Sequence, residues 1–180
     1  MLSAGSACQK ISKQKTANNK GNGGADRCAR KVAIMIHSQD LDHSDGSHDY
    51  RSLLVRKVGN DGGGDCPAIL LFPEAWGLGP HAIDRAERLA ALGYVTLAID
   101  PYGGRSYAGN LAEAKALMGD LTTDVAARRA LTAHGLSVLA AQDCVDPGRV
   151  AAIGFCFGGL LALELARSGA DLAAVVSFHG

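Results

Sequence analysis

The sequence predicts an α/β fold, in which a mostly parallel β-sheet carries helices on both faces. Short, predominantly apolar runs are typical of strands that helices cover on both faces. Four such runs occur, at residues 68–72, 94–99, 150–153 and 173–178. Helical spacing of apolar residues separates or flanks these runs, at residues 83–92, 110–118, 122–142 and 160–167. Strands that alternate with helices favour parallel pairing through right-handed crossovers.

The region before this alternation predicts an antiparallel hairpin. Residues 32–36 are apolar and predict the first strand. Asp45 and Gly46 form a hairpin turn signal, and residues 50–58 show the partial alternation of a returning strand. Further along the chain, residues 146–148 have the composition of a turn and would precede the strand at 150–153.

Charge and length predict one folded domain at residues 32–180 and a basic, disordered extension at residues 1–31. The 180 residues carry no net charge, which gives no reason to expect nucleic acid or a membrane surface as a partner. The extension is nevertheless strongly basic and poor in acids. Against Asp26 alone, it has Lys10, Lys13, Lys15, Lys20, Arg27, Arg30 and Lys31. An organelle transit peptide is the alternative interpretation of this segment.

The cysteines predict free thiols and a cytoplasmic location. There are five, at positions 8, 28, 66, 144 and 156. They form no CxxC pair and no zinc spacing, so no metal site and no cofactor is predicted. An odd number of cysteines without an apolar secretory signal fits a reducing compartment. No apolar run reaches the length of a membrane span.

The segment Gly-Phe-Cys-Phe-Gly-Gly at residues 154–159 predicts a nucleophile on a tight strand-to-helix turn. Such a turn crowds the backbone, and Gly154 and Gly158 stand two residues before and after Cys156, where small residues are needed. A helix that begins near Phe157 would direct its free amides at the sulfur and stabilise negative charge there.

Other interpretations of Cys156 remain open at this stage. It could be a buried, inert cysteine beside a glycine-rich turn, because cysteine packs as a small hydrophobe. A redox role would need a partner thiol, and Cys144 is the nearest in the sequence. A phosphate-binding loop fits less well, because neither G-x-G-x-x-G nor a following Lys-Ser/Thr is present.

A second motif, Phe-Pro-Glu-Ala-Trp-Gly-Leu at residues 72–78, follows the first buried strand. In hydrolases with a nucleophile elbow, the loop at this place supplies an oxyanion amide beside the amide after the nucleophile. Those amides would be the N–H groups of Ala75 and Phe157. The carboxylate of Glu74 would face the same crevice as Cys156. A solvated loop glutamate is the simpler alternative.

Together these motifs resemble the dienelactone hydrolase family of α/β-hydrolases. The resemblance includes the elbow, the loop at 72–78, the segment at 92–104 and Val-Ser-Phe-His-Gly at 176–180. It implies that Cys156 attacks an ester or lactone carbonyl and forms a thioester that water cleaves. It also implies that Glu74 controls the resting thiol and helps to deprotonate it, and that Ala75 and Phe157 bind the oxyanion.

The resemblance also places the aspartate and histidine of the family's triad beyond residue 180, so we expect a C-terminally truncated member. Asp171 precedes its strand and should lie at the opposite edge of the sheet. His179 corresponds to a pocket-lining position, and Arg105 is a weak candidate for binding a substrate carboxylate. The expected partner is a small ester or lactone, with the oligomeric state open. The alternative is an inactive α/β-hydrolase-fold fragment or paralogue that acts as a binding module.

Overall fold

The computed structural model describes residues 35–60 and 63–180. Within these residues, six strands form one sheet. They are β1 (Ile36–Ser44), β2 (Asp49–Lys57), β3 (Cys66–Phe72), β4 (Val95–Ala98), β5 (Val145–Phe155) and β6 (Ala174–Phe178). The helices of the same residues are α1 (Pro80–Ala91), α2 (Leu111–Met118), a 3₁₀ helix (Gly119–Thr122), α3 (Val125–Ala140) and α4 (Phe157–Arg167). The extension at residues 1–31 lies outside the described residues.

The order of the strands confirms the predicted mostly parallel sheet. It runs β1-β2-β4-β3-β5-β6. The hairpin β1–β2 is antiparallel, and β2 also pairs antiparallel with β4, whereas β4, β3, β5 and β6 are parallel neighbours. The carboxyl ends of β3, β5 and β6 therefore meet at one edge, which is where parallel α/β sheets bind their ligands.

The first strand differs from its prediction. Residues 32–34 are not described, and β1 runs from Ile36 to Ser44 instead of ending at Ile36. The residues of β1 are mostly polar and exposed. An edge strand pairs on one side only, so it does not need the apolar residues of a central strand. The predicted turn after it is confirmed. The carboxylate of Asp45 accepts the amides of Ser47 and His48 at 2.8 Å each, and Gly46 has a φ of 90°.

The turn predicted at residues 146–148 is a bulge inside β5. Val145 pairs with Cys66 and Val150 pairs with Ala68, so β5 advances by more residues than β3 over the same stretch. The amide of Gly148 donates to Asp146 Oδ1 at 3.0 Å. The turn that the sequence predicts therefore forms, but as a local irregularity within the strand.

Helices cover both faces of the sheet, as the apolar strands require. On one face, α1 packs small side chains such as Ala86 and Ala90 against Leu71 and Ala98. The larger cluster on the other face joins α3 and α4 to the sheet. Its fully buried members include Leu70, Phe72, Leu97, Ile99, Leu139, Leu161 and Leu165. The helix boundaries follow ordinary chemistry: Pro80 starts α1, and the Asp124 side chain caps α3 by accepting two backbone amides.

A buried polar network holds the loop after β4. The carboxylate of Asp100, which is fully buried, accepts the backbone amides of Arg51, Tyr102 and Gly103 at 3.1 Å each and that of Arg105 at 2.6 Å. Four donors satisfy the buried carboxylate and fix the loop in return. The Asp100 amide donates to Ser52 Oγ at 2.9 Å.

The same network extends to two histidines. The Ser52 hydroxyl lies 2.8 Å from His43 Nε2, and His43 Nδ1 lies 2.8 Å from His134 Nε2. Tyr50 stacks on the His43 ring. Burial, and then the neighbouring His134, lower the pKa of His43 below its ordinary value of 6.5, although the charge of Asp100 opposes this shift.

We expect the free energy of unfolding to fall as the pH drops below about 6.5. The unfolded chain binds a proton at His43 near that pH, whereas the folded chain binds it only at lower pH, so protonation favours unfolding. The measurement is urea unfolding between about pH 7 and pH 5. His43→Gln should flatten this dependence, while His37→Gln on the exposed part of β1 should keep it. An equally steep dependence in His43→Gln would contradict the assignment.

Candidate active site at the carboxyl edge of the sheet

Cys156 lies between the end of β5 and the start of α4, where its thiol is exposed. Its φ is 52°, in the left-handed region that residues other than glycine rarely adopt. Such backbone strain costs about 1–3 kcal/mol and persists only where the surroundings hold it. Here the Cys156 amide donates to the Phe178 carbonyl at 2.9 Å, and its carbonyl accepts the Gly159 amide at 2.8 Å.

Glycines permit the close approach of the elbow to its neighbours, as expected for Gly154 and Gly158. A Cβ on Gly154 would overlap the Gly158 carbonyl. A Cβ on Gly158 would overlap the carbonyl oxygens of both Phe72 and Pro73, at the end of β3. The first turn of α4 therefore lies directly on the backbone that leads into Glu74.

The register of the strands places three residues, Glu74, Cys156 and His179, at the same height beyond the carboxyl ends of their strands. Phe72 pairs with Gly154 in β3–β5, and Glu74 and Cys156 each follow two residues later. In β5–β6, Phe155 pairs with Phe178, so Cys156 and His179 each follow by one residue. Because β5 lies between β3 and β6, Cys156 stands between Glu74 and His179 along the sheet edge.

The amides of Ala75 and Phe157 lie at matched positions, three residues beyond the same strand pair. Within the part of the chain that the structure describes, neither N–H has a hydrogen-bond acceptor. The loop that carries Ala75 is rigid, because the Gly77 amide donates to the Glu74 carbonyl at 3.0 Å and Tyr102 Oη donates to the Ala75 carbonyl at 2.9 Å. Two fixed, unused donors beside a thiol can bind a developing oxyanion.

The carboxylate of Glu74 is partly buried between two histidines. Its Oε2 lies 3.6 Å from His81 Nδ1, and its Oε1 lies 3.9 Å from His179 Nε2. The side chain is 27% exposed, so it is more enclosed than an ordinary loop glutamate. His81 is the second residue of α1, and its contact with Glu74 was not predicted from the sequence.

Sequence analysis also missed Tyr102, whose hydroxyl holds the Ala75 loop. Burial raises the pKa of Tyr102, and the electrostatic interaction with the nearby Cys156 raises it further. The residue belongs to the resemblance at 92–104, but only the structure shows where its hydroxyl reaches.

The remaining sequence candidates lie away from the thiol. Arg105 pairs with Asp40 of β1, as a loop charge would. Asp171 precedes β6, at the opposite end of that strand from the elbow. Cys144 is buried at the start of β5, whereas Cys156 follows its end. Residues 35–60 and 63–180 contain no cluster of three or more His, Cys, Asp or Glu that could hold a metal, and no helix long and apolar enough to span a membrane.

Comparison with known proteins agrees with this geometry. The model of the dienelactone hydrolase family matches residues 53–180, which is the larger part of the chain. The chain belongs to the dienelactone hydrolase family. The resemblance found in the motifs is thereby confirmed, together with the α/β-hydrolase type of fold.

Solved structures and curated proteins give the degree of similarity. The chain is 45% identical to the structure named m3DLH, with a TM-score of 0.75, over 80% of this chain and 59% of that one. It is 40% identical to P91, a dienelactone hydrolase-like promiscuous phosphotriesterase from metagenomic libraries, with a TM-score of 0.76, over 81% of this chain and 59% of that one.

A Yersinia pestis protein named "Putative carboxymethylenebutenolidase" is 30% identical over 122 residues, which cover 65% of this chain and 44% of that protein. A Methylorubrum extorquens protein of the same name is 28% identical over 120 residues, which cover 66% and 41%. The chain thus spans about half the length of the curated relatives that it matches.

We expect Gly158→Ala to destabilise the fold by at least about 2 kcal/mol, because the new methyl group would meet two backbone carbonyls that cannot rotate away. Urea unfolding measures the loss. Gly148→Ala is the matched control, since a Cβ there meets only the Asp146 side chain, at 3.4 Å. Equal stability of Gly158→Ala and the parent chain would show that the elbow does not pack on β3 as described.

Proposed function

We propose that this chain carries the nucleophilic centre of a dienelactone hydrolase-type enzyme that cleaves a small ester or lactone through Cys156. The observation that carries the proposal is the exposed thiol at a strained φ of 52°, at the level of Glu74 and of two amides with no acceptor in the described residues. Strain at an exposed nucleophile is typical of catalytic elbows. A binding module has no need of it.

The proposed first step forms the thioester. Glu74 accepts the proton of the Cys156 thiol, and the thiolate attacks the carbonyl carbon of the substrate. As the carbon–sulfur bond forms, the electron pair of the carbonyl moves to its oxygen, which accepts hydrogen bonds from the amides of Ala75 and Phe157. Collapse of this intermediate breaks the carbon–oxygen bond, and the leaving alkoxide takes the proton from Glu74.

The second step is hydrolysis of the thioester. Water adds to the same carbonyl carbon and loses one proton to the solvent, and the amides of Ala75 and Phe157 again bind the oxyanion. The carbon–sulfur bond then breaks to release the carboxylic acid and the thiolate, which takes up a proton to restore the thiol. The start of α4 stabilises the departing thiolate, because Cys156 is the N-cap of that helix and lies beside the positive end of its dipole. We assign no residue of this chain as the base that activates the water.

The sequence also suggests the domain bounds and the cellular compartment of the proposed enzyme. We assign residues 32–180 to the hydrolase domain and residues 1–31 to a basic extension. The free thiols of Cys66, Cys144 and Cys156 suit a reducing compartment such as the cytoplasm. A phosphotriester is a second substrate worth assaying, because P91 is named for that activity and a thiolate beside two amides can also attack a phosphoryl centre.

Hydrolysis of p-nitrophenyl acetate tests the proposal. Cys156→Ala should abolish the enzyme-dependent rate, since it removes the nucleophile. Glu74→Gln should lower the rate about 100-fold, which is a typical contribution of a general base. Cys66→Ala is the control and should retain full activity, because Cys66 lies at the other end of β3. Activity that survives in Cys156→Ala would refute the proposal.

A further inference from the structure

Arg85 and His81 lie one turn apart on α1, and His81 is next to Glu74. The Arg85 guanidinium donates a hydrogen bond from Nε to His81 Nε2 at 3.2 Å. Arginine has donors only and stays protonated, so Nε2 of the imidazole must be the acceptor. An imidazole that accepts at Nε2 is neutral and carries its proton on Nδ1. The contact with Arg85 therefore selects one tautomer of His81.

The Nδ1 edge of His81 faces the carboxylate of Glu74, 3.6 Å from Oε2. Aromatic packing holds the ring in this orientation. Phe155 meets His81 edge to face with ring centres 5.1 Å apart, and Phe155 in turn stacks on Phe178 at 4.8 Å. The proton that Arg85 confines to Nδ1 thus points towards the carboxylate.

The charges around this arrangement are complementary. The second carboxylate oxygen of Glu74, Oε1, lies 3.9 Å from His179 Nε2. The guanidinium of Arg85 lies 3.8 Å from Asp84 Oδ2. His81 on α1 is therefore the neighbour of one carboxylate oxygen of Glu74, and His179, directly after β6, is the neighbour of the other.

We propose that Arg85 and His81 are positioning residues for Glu74. Arg85 keeps His81 as the Nδ1–H tautomer, and this N–H, 3.6 Å from Oε2, orients the carboxylate electrostatically so that Oε1 is directed away from α1. This assignment rests on the role proposed above for Glu74. Arg88, one turn further along α1, pairs with Asp84, and no hydrogen bond or ion pair of the described residues joins it to His81 or Glu74.

The tautomer of His81 provides the direct test. Long-range ¹H–¹⁵N spectra of the ¹⁵N-histidine-labelled chain at about pH 8 distinguish a protonated from an unprotonated ring nitrogen, and His81→Asn identifies the signal. We expect Nδ1–H in the parent chain and a shift of population towards Nε2–H in Arg85→Met. Arg88→Met is the matched control and should match the parent. Nε2–H in the parent, or no change in Arg85→Met, would overturn the proposal.

The rate of Cys156 alkylation by iodoacetamide, followed by peptide mass mapping, tests the effect on Glu74. We expect His81→Phe to change this rate about threefold, in the same direction as Glu74→Gln, because a partly exposed contact between an N–H and a carboxylate at 3.6 Å contributes about that factor. His81→Asn keeps an N–H near the Nδ1 position and should restore the parent rate. A His81→Phe rate equal to the parent, with Glu74→Gln altered, would overturn the positioning role. If Glu74→Gln alkylates at the parent rate, the role of Glu74 itself is refuted. The tautomer of His81 then still tests whether Arg85 acts on His81.

Discussion

The approach of Gly158 to the backbone of Phe72 and Pro73 is the contact on which the rest of the site depends. Two loops that are far apart in the sequence meet there without an intervening side chain. The contact brings the elbow of Cys156 against the strand end that leads into Glu74. A rigid backbone contact is well suited to catalysis, because amides and a nucleophile act together only when their distances are fixed.

A second fixed point lies at Asp100. Its buried carboxylate gathers four backbone amides and thereby presents Tyr102 to the Ala75 carbonyl. The Ala75 loop is consequently held from one side by Tyr102 and from the other by the closed turn at Gly77. The Ala75 loop is thus fixed by residues of β2 and of the loop after β4, through contacts that reach from the antiparallel hairpin to the carboxyl edge of the sheet.

The parts of this architecture that follow from local chemistry could be predicted from the sequence. Apolar runs predicted the buried strands, and the glycines around Cys156 predicted the elbow, because a crowded strand-to-helix turn has room only for small residues at those positions. The polar edge strand β1 was placed wrongly, since one-sided pairing leaves no apolar signature. The contacts of Tyr102 and of His81 with the site were missed because tertiary packing alone decides where a side chain reaches. The predicted roles of Cys156 and Glu74 stay predictions.

Trapping the covalent intermediate is the most direct measurement of the central claim. The chain is mixed with p-nitrophenyl acetate at neutral pH, quenched in acid and examined by intact mass and peptide mapping. The mechanism predicts one acetyl group on Cys156 that hydroxylamine removes, as a thioester requires, and no such group in Cys156→Ala. An acetyl group on Cys66, on lysine or on no residue at all, while ester is consumed, would contradict the assignment of Cys156 as the nucleophile.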